Sequence, residues 1–151
     1  MSMPLSSTED TRRPAYGFGR VLILVYAVFA VSATARAGVQ LVRDAAEAPL
    51  AYGLSALAAA VYVLATVALA HNGRRMRRVG WAAVLFELVG VLVVGTLSLA
   101  EPELFPEATV WSGYGSGYGY VPLVLPTVGI AWLWWSSPVR VAQRADRPPS
   151  A

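Results

Sequence analysis

Apolar positions fall into four long blocks, at about 21–42, 50–70, 79–99 and 121–136, separated by segments rich in arginine, proline or glycine. Within a block the apolar residues run on without the alternation of a half-buried strand or the single stripe of a soluble helix. Blocks of about 20 apolar residues match the helix length that crosses a hydrocarbon core of about 30 Å. The pattern predicts an all-α polytopic membrane protein, four transmembrane helices in a compact bundle over 20–137. Residues 1–19 hold Pro4 and Pro14 with no apolar period and read as a disordered tail; 138–151 read as a second tail.

The connections are unequal. Asp44, Glu47 and Pro49 mark a short turn, with Pro49 suited to the first position of the second helix. His71-Asn72-Gly73 ends that helix with Gly73 as a glycine cap, and so short a link makes helices two and three an antiparallel hairpin. The long connection is 101–120, EPELFPEATVWSGYGSGYGY, with three glutamates and no positive charge. It reads as an outer cap with an interfacial turn at Leu104 and Phe105, and with Trp111, Tyr114, Tyr118 and Tyr120 in the headgroup layer. Pro122 fits the first turn of the fourth helix, Pro126 predicts a bend, and Trp132, Trp134 and Trp135 form the opposite aromatic belt.

Charge gives the orientation. All twelve basic residues are arginine. With both termini cytoplasmic, Arg12, Arg13, Arg20, Arg74, Arg75, Arg77, Arg78, Arg140, Arg144 and Arg147 lie inside and only Arg36 and Arg43 lie outside, the bias of a chain with arginine-anchored inner loops. A mean hydropathy of +0.53 with 14% charged residues fits lipid as the main solvent; a pI near 9.6 is explained by arginines beside the apolar blocks, without nucleic acid. The order Arg12 to Arg20, apolar run, then Ala35-Arg36-Ala37 also matches a secretory leader, but the run continues through Val39, Leu41 and Val42, which fits an uncleaved span better.

Inside the blocks a few residues stand out. Ser32, Arg36, Gln40, Arg43 and Glu47 lie three and four apart along one face of the first helix and should face protein or water. Gly53, Ala56 and Ala60 form a small-residue stripe on the second, with Ser55 and Ala59 beside it. On the third, Glu87 shares a stripe with Gly80, Ala83, Gly90 and Val94. A carboxyl there is either a neutral group hydrogen-bonded to a neighbouring helix or one that handles protons or cations. Arg36 either pairs with Glu87, about 10 Å away along the membrane normal at 1.5 Å per residue, or extends outward to Glu101, Glu103 or Glu107.

Other chemistry is thinly represented. With no cysteine and one histidine, His71, thiolate sites are excluded and no second ligand stands at metal-binding spacing. Gly113-Tyr114-Gly115 and Gly117-Tyr118-Gly119 echo a potassium-filter GYG, but Trp111 and Ser112 separate Thr109-Val110 from it, and the preceding prolines exclude an uninterrupted pore helix. No nucleophile, base and acid set assembles, so enzyme activity and a cofactor are not expected.

The stretches LVGVLVVGTLSL, PELFPEATVWSGYG and GYGYVPLVLPTVGIAWL, within 88–135, resemble a group of small four-span integral membrane proteins of actinobacteria whose molecular role is not established. The resemblance implies a plasma-membrane location and the same four-span plan, and carries over no catalytic residue. The sequence thus points to a non-enzymatic interaction or assembly component, whose partners are the lipid bilayer and a membrane protein or second copy. The alternative is a small oligomeric proton- or cation-coupled transporter or channel subunit that uses Glu87.

Overall fold

The structure, a computed structural model, describes residues 13–44, 46–71 and 73–146. Five α-helices follow in order: α1 (Arg13–Asp44), α2 (Pro49–Ala70), α3 (Arg74–Ala100), α4 (Val121–Trp135) and α5 (Pro138–Ala145), and no strand occurs among the described residues. Three of them, over Gly17–Arg43, Pro49–Ala70 and Arg74–Ala100, are long and apolar enough to cross a membrane. The fourth, α4, is apolar but has only 15 residues, which at 1.5 Å each is about 22 Å.

The expected tails are partly helical. Residues 13–19 belong to α1, and most of 138–146 forms α5, because both segments carry helix-compatible residues once their prolines sit at helix starts. Residues 1–12 and 147–151, with Arg12 and Arg147, lie outside the described residues.

Neighbouring helices pack in chain order, α1 on α2, α2 on α3 and α3 on α4, with α4 closing on α1. Large apolar side chains lie on the outside of the bundle and small ones on the inside. Val21, Leu24, Val28, Val31 and Leu99 point outward, while Ala30, Ala33, Ala37, Ala58, Ala59, Ala65 and Ala83 face the centre. Small residues let helix backbones approach closely, where dispersion packing is strongest. The middle of the bundle is filled by four large side chains, Tyr26, Tyr62, Glu87 and Trp111.

Several local expectations hold and others shift. Pro49 opens α2 and Pro122 lies in the first turn of α4. Gly73, with φ 131°, is the residue before α3 and not the cap of α2. The end of α2 is instead held by His71, whose backbone N–H and ring Nδ1 both meet the Val67 carbonyl. On α2 the packed stripe is the one containing Ser55 and Ala59; Gly53 and Ala60 are exposed, and a Cβ at Gly53 would touch nothing. Helix α4 is one element through Pro126, which is itself buried.

At the end of the bundle opposite residues 101–120, Arg77 reaches from the first turn of α3 to the Leu133 carbonyl and to the Ser136 carbonyl and hydroxyl at 3.4 Å. It thereby satisfies carbonyls at the C-terminus of α4 that have no helical partner. The neighbouring Arg74, Arg75 and Arg78 are exposed.

Candidate functional site: a buried acid beneath an inserted loop

The loop 101–120 does not sit on the bundle as a cap. It descends into it, and two glycines of α3 receive its aromatic rings. A Cβ at Gly90 would come within 2.6 Å of the Trp111 indole, and one at Gly95 would collide with the Tyr114 ring. Gly90 is ten residues inside the Ala100 end of α3, a depth of about 15 Å at 1.5 Å per residue. Trp111 is therefore a core residue, 1% exposed, and not an interfacial one. Tyr114 and Tyr118 are half-buried, and of the five loop aromatics only Tyr120 is exposed.

Short-range polar chemistry builds the inserted strap. The backbone N–H of Thr109 donates to Ser112 Oγ at 2.9 Å, and the N–H groups of Trp111 and Ser112 donate to Thr109 Oγ1 at 3.2 and 3.1 Å. Such reciprocal side-chain acceptors satisfy backbone N–H groups outside regular α-helix. The N–H of Gly113 then donates to Ser98 Oγ on α3 at 2.8 Å. Gly113, Tyr114 and Gly115 follow with φ of 55°, 60° and 82°, three successive left-handed residues. Glycine makes the first and third inexpensive; Tyr114 is held there by its ring on Gly95 and by its hydroxyl at 2.9 Å from Thr96 Oγ1. The GYG segment is thus a left-handed turn docked on α3.

Beneath the strap lies Glu87, 0% exposed. Tyr26 of α1 donates its hydroxyl to Glu87 Oε2 at 2.7 Å, while Oε1 has no hydrogen-bond partner among the described residues. The same Tyr26 hydroxyl would lie 3.3 Å from a Cβ at Gly129, so α4 presents a glycine where a side chain would crowd this bond. Tyr62 of α2 stacks at a tilt on Tyr26, with centroids 6.3 Å apart, and accepts a hydrogen bond from Trp111 Nε1 at 3.2 Å. All four long helices and the loop therefore meet at one buried polar cluster.

Arg36 does not pair with Glu87. Its guanidinium donates to the Tyr118 hydroxyl at 2.5 Å and to the Ala108 carbonyl at 2.8 Å, and lies 5.9 Å from the Tyr118 ring centroid. It turns towards the loop, as the second expectation had it, but meets neutral acceptors and an aromatic ring instead of a glutamate. The loop bends Ala108 and Tyr118 within reach, whereas Glu101, Glu103 and Glu107 stay exposed. Of the rest of the polar stripe on α1, Ser32 and Arg43 are exposed and Gln40 is half-buried, with Oε1 lacking a partner among the described residues.

Sequence reasoning singled out Glu87, Arg36, Gln40, Trp111, Tyr114 and Tyr118, and the structure gathers all but Gln40 around the loop. It missed Tyr26 and Tyr62, which were hidden inside apolar blocks. The signal was their hydroxyls: a tyrosine deep in an apolar helix needs a polar partner, and Glu87 is the acidic residue at that level. Among the described residues no three His, Asp or Glu side chains converge as a metal site would require. No family model matches the chain, and neither the curated proteins nor the solved structures contain a significant match.

Proposed function

We propose that this chain is a multi-pass plasma-membrane protein with both termini cytoplasmic, akin to the small four-span actinobacterial proteins it resembles, and that it serves as a non-enzymatic interaction or assembly component. Its fourth crossing is composite: α4 supplies about 22 Å at 1.5 Å per residue, and the inserted loop completes the path. Irregular backbone at membrane depth is tolerated where protein buries it, and here Val110 and Trp111 are buried.

The observation that carries the reading is the enclosure of Glu87. It is fully buried, with the Tyr26 hydroxyl on its carboxylate and the Tyr62–Trp111 pair beside Tyr26, and it lines neither the cavity between α1 and α2 nor the one under the loop. An acid that relays protons or cations needs a route to water; one that fastens helices and loop together needs only partners. On this reading the cluster rigidifies the bundle so that the outer loop, with Glu101, Glu103 and Glu107 exposed, and the basic face at Arg74, Arg75 and Arg78 are presented in fixed geometry to a membrane partner.

One observation favours the transporter alternative: Glu87 Oε1 has no hydrogen-bond partner among the described residues and so has capacity for a further proton or cation. The two are separated by reconstituting the wild type and Glu87→Gln in vesicles under a proton gradient. Proton flux equal to that of empty vesicles in both, with normal folded yield, is expected. Flux in the wild type that Glu87→Gln abolishes at normal yield contradicts the assembly reading.

A further inference from the structure

The inserted loop does more than seal the bundle, because between it and the ends of α1 and α3 it encloses an open cavity of about 620 Å³. Small-molecule sites commonly span about 300–1,000 Å³ and combine apolar lining with a few placed polar groups. This lining has that mixture: Leu99, Phe105 and Pro106 beside Arg36, Ser112 and Ser116. Among the described residues no aspartate or glutamate lines it.

Arg36 gives the cavity its character. Of the five N–H donors of a guanidinium, one bonds the Tyr118 hydroxyl and one the Ala108 carbonyl. Both acceptors are neutral, so they fix the orientation of the fork without cancelling its charge. A cation on an apolar helix is costly to withdraw from water. It is usually accompanied by an anion or by water, and among the described residues no carboxylate supplies the anion. Remaining donors of a held guanidinium match an oxyanion well, through paired, charge-assisted hydrogen bonds.

The nearby acidic residues narrow the choice. Glu101, Glu103 and Glu107 are exposed on the same loop outside the cavity, and their field penalises a multiply charged anion more than a singly charged one. We propose that this cavity binds a singly charged oxyanion on an apolar body, its charged end on Arg36 and its apolar part against Leu99, Phe105 and Pro106. A soluble or fatty carboxylate and the phosphodiester of an anionic lipid share this chemistry. The site is independent of the assembly reading, since it needs neither a partner protein nor a role for Glu87.

The test uses the full chain in a non-ionic detergent, titrated with octanoate and, as a neutral control, 1-octanol, with calorimetric readout. Saturable octanoate binding without octanol binding is expected. Arg36→Gln should weaken it at least about tenfold, or about 1.4 kcal/mol. Because that variant also loosens the loop, Ser116→Trp is measured alongside: it fills the cavity, leaves the Arg36 bonds in place, and should weaken binding to a similar degree. Phosphatidylglycerol added as competitor identifies the source, displacement indicating a lipid headgroup and indifference a carboxylate. Absence of saturable octanoate or phosphatidylglycerol binding up to about 1 mM, or binding that both variants leave unchanged, overturns the proposal.

Discussion

Tyr26 and Glu87 face each other across the diagonal of the bundle, from α1 to α3, and the 2.7 Å hydrogen bond between them joins two helices that otherwise touch little. In a core rich in alanine, this bond and the Tyr62–Trp111 bond at 3.2 Å supply specificity that small side chains cannot.

Removing the donor should therefore weaken the fold without dissolving it. Tyr26→Phe is expected to cost about 0.6–2 kcal/mol, the range for interhelical hydrogen bonds in membranes and for a buried acceptor left unpaired. A double-mutant cycle of Tyr26→Phe with Glu87→Gln, followed by reversible unfolding in mixed micelles, should show coupling; strict additivity would mean that the two side chains do not act together.

The glycines of α3 separate fit from propensity. Glycine in a helix interior normally gains from replacement by alanine, and Gly53, where a Cβ meets open space, should follow that rule in Gly53→Ala. Gly90→Ala should instead destabilise by about 1–3 kcal/mol, the usual cost of overpacking, because its Cβ would press on the Trp111 ring. Gly95→Ala should do likewise at Tyr114. Thermal melts of the three variants check the contrast, and Gly90→Ala melting with or above the wild type would mean that the indole does not lie there.

At the other end of the molecule, Arg77 and its neighbours should behave differently despite equal charge. Arg77→Gln frees carbonyls of α4 and is expected to lower stability by about 0.5–2 kcal/mol, the range for a lost cap. Arg75→Gln, at an exposed position, should stay within about 0.5 kcal/mol. Equal melting temperatures for the two variants would contradict the capping role.

Block length and composition made the helices legible, since apolar runs bounded by arginine, proline and glycine leave few other solutions. Glu87 was legible as the carboxyl inside an apolar block. The loop was misread, because local composition cannot distinguish aromatic residues at a headgroup layer from aromatic residues inserted between helices. What decides it is nonlocal: Gly90 and Gly95 are spaced to receive Trp111 and Tyr114. Arg36 shows the same limit, since helix periodicity gave its face but not that Ala108 and Tyr118 would come to meet it.

The central claim, that residues 109–111 are inserted into the bundle as part of its core, is tested most directly by thiol accessibility, for which the absence of cysteine leaves a clean background. Single-cysteine variants Glu107→Cys and Val110→Cys would be labelled with a water-soluble maleimide in the intact membrane. Position 107 is exposed and 110 is 2% exposed, so fast labelling at 107 and protection at 110 are expected, with protection lost when Trp111→Ala is added. Equal labelling rates at the two positions in the otherwise native chain would contradict an inserted loop.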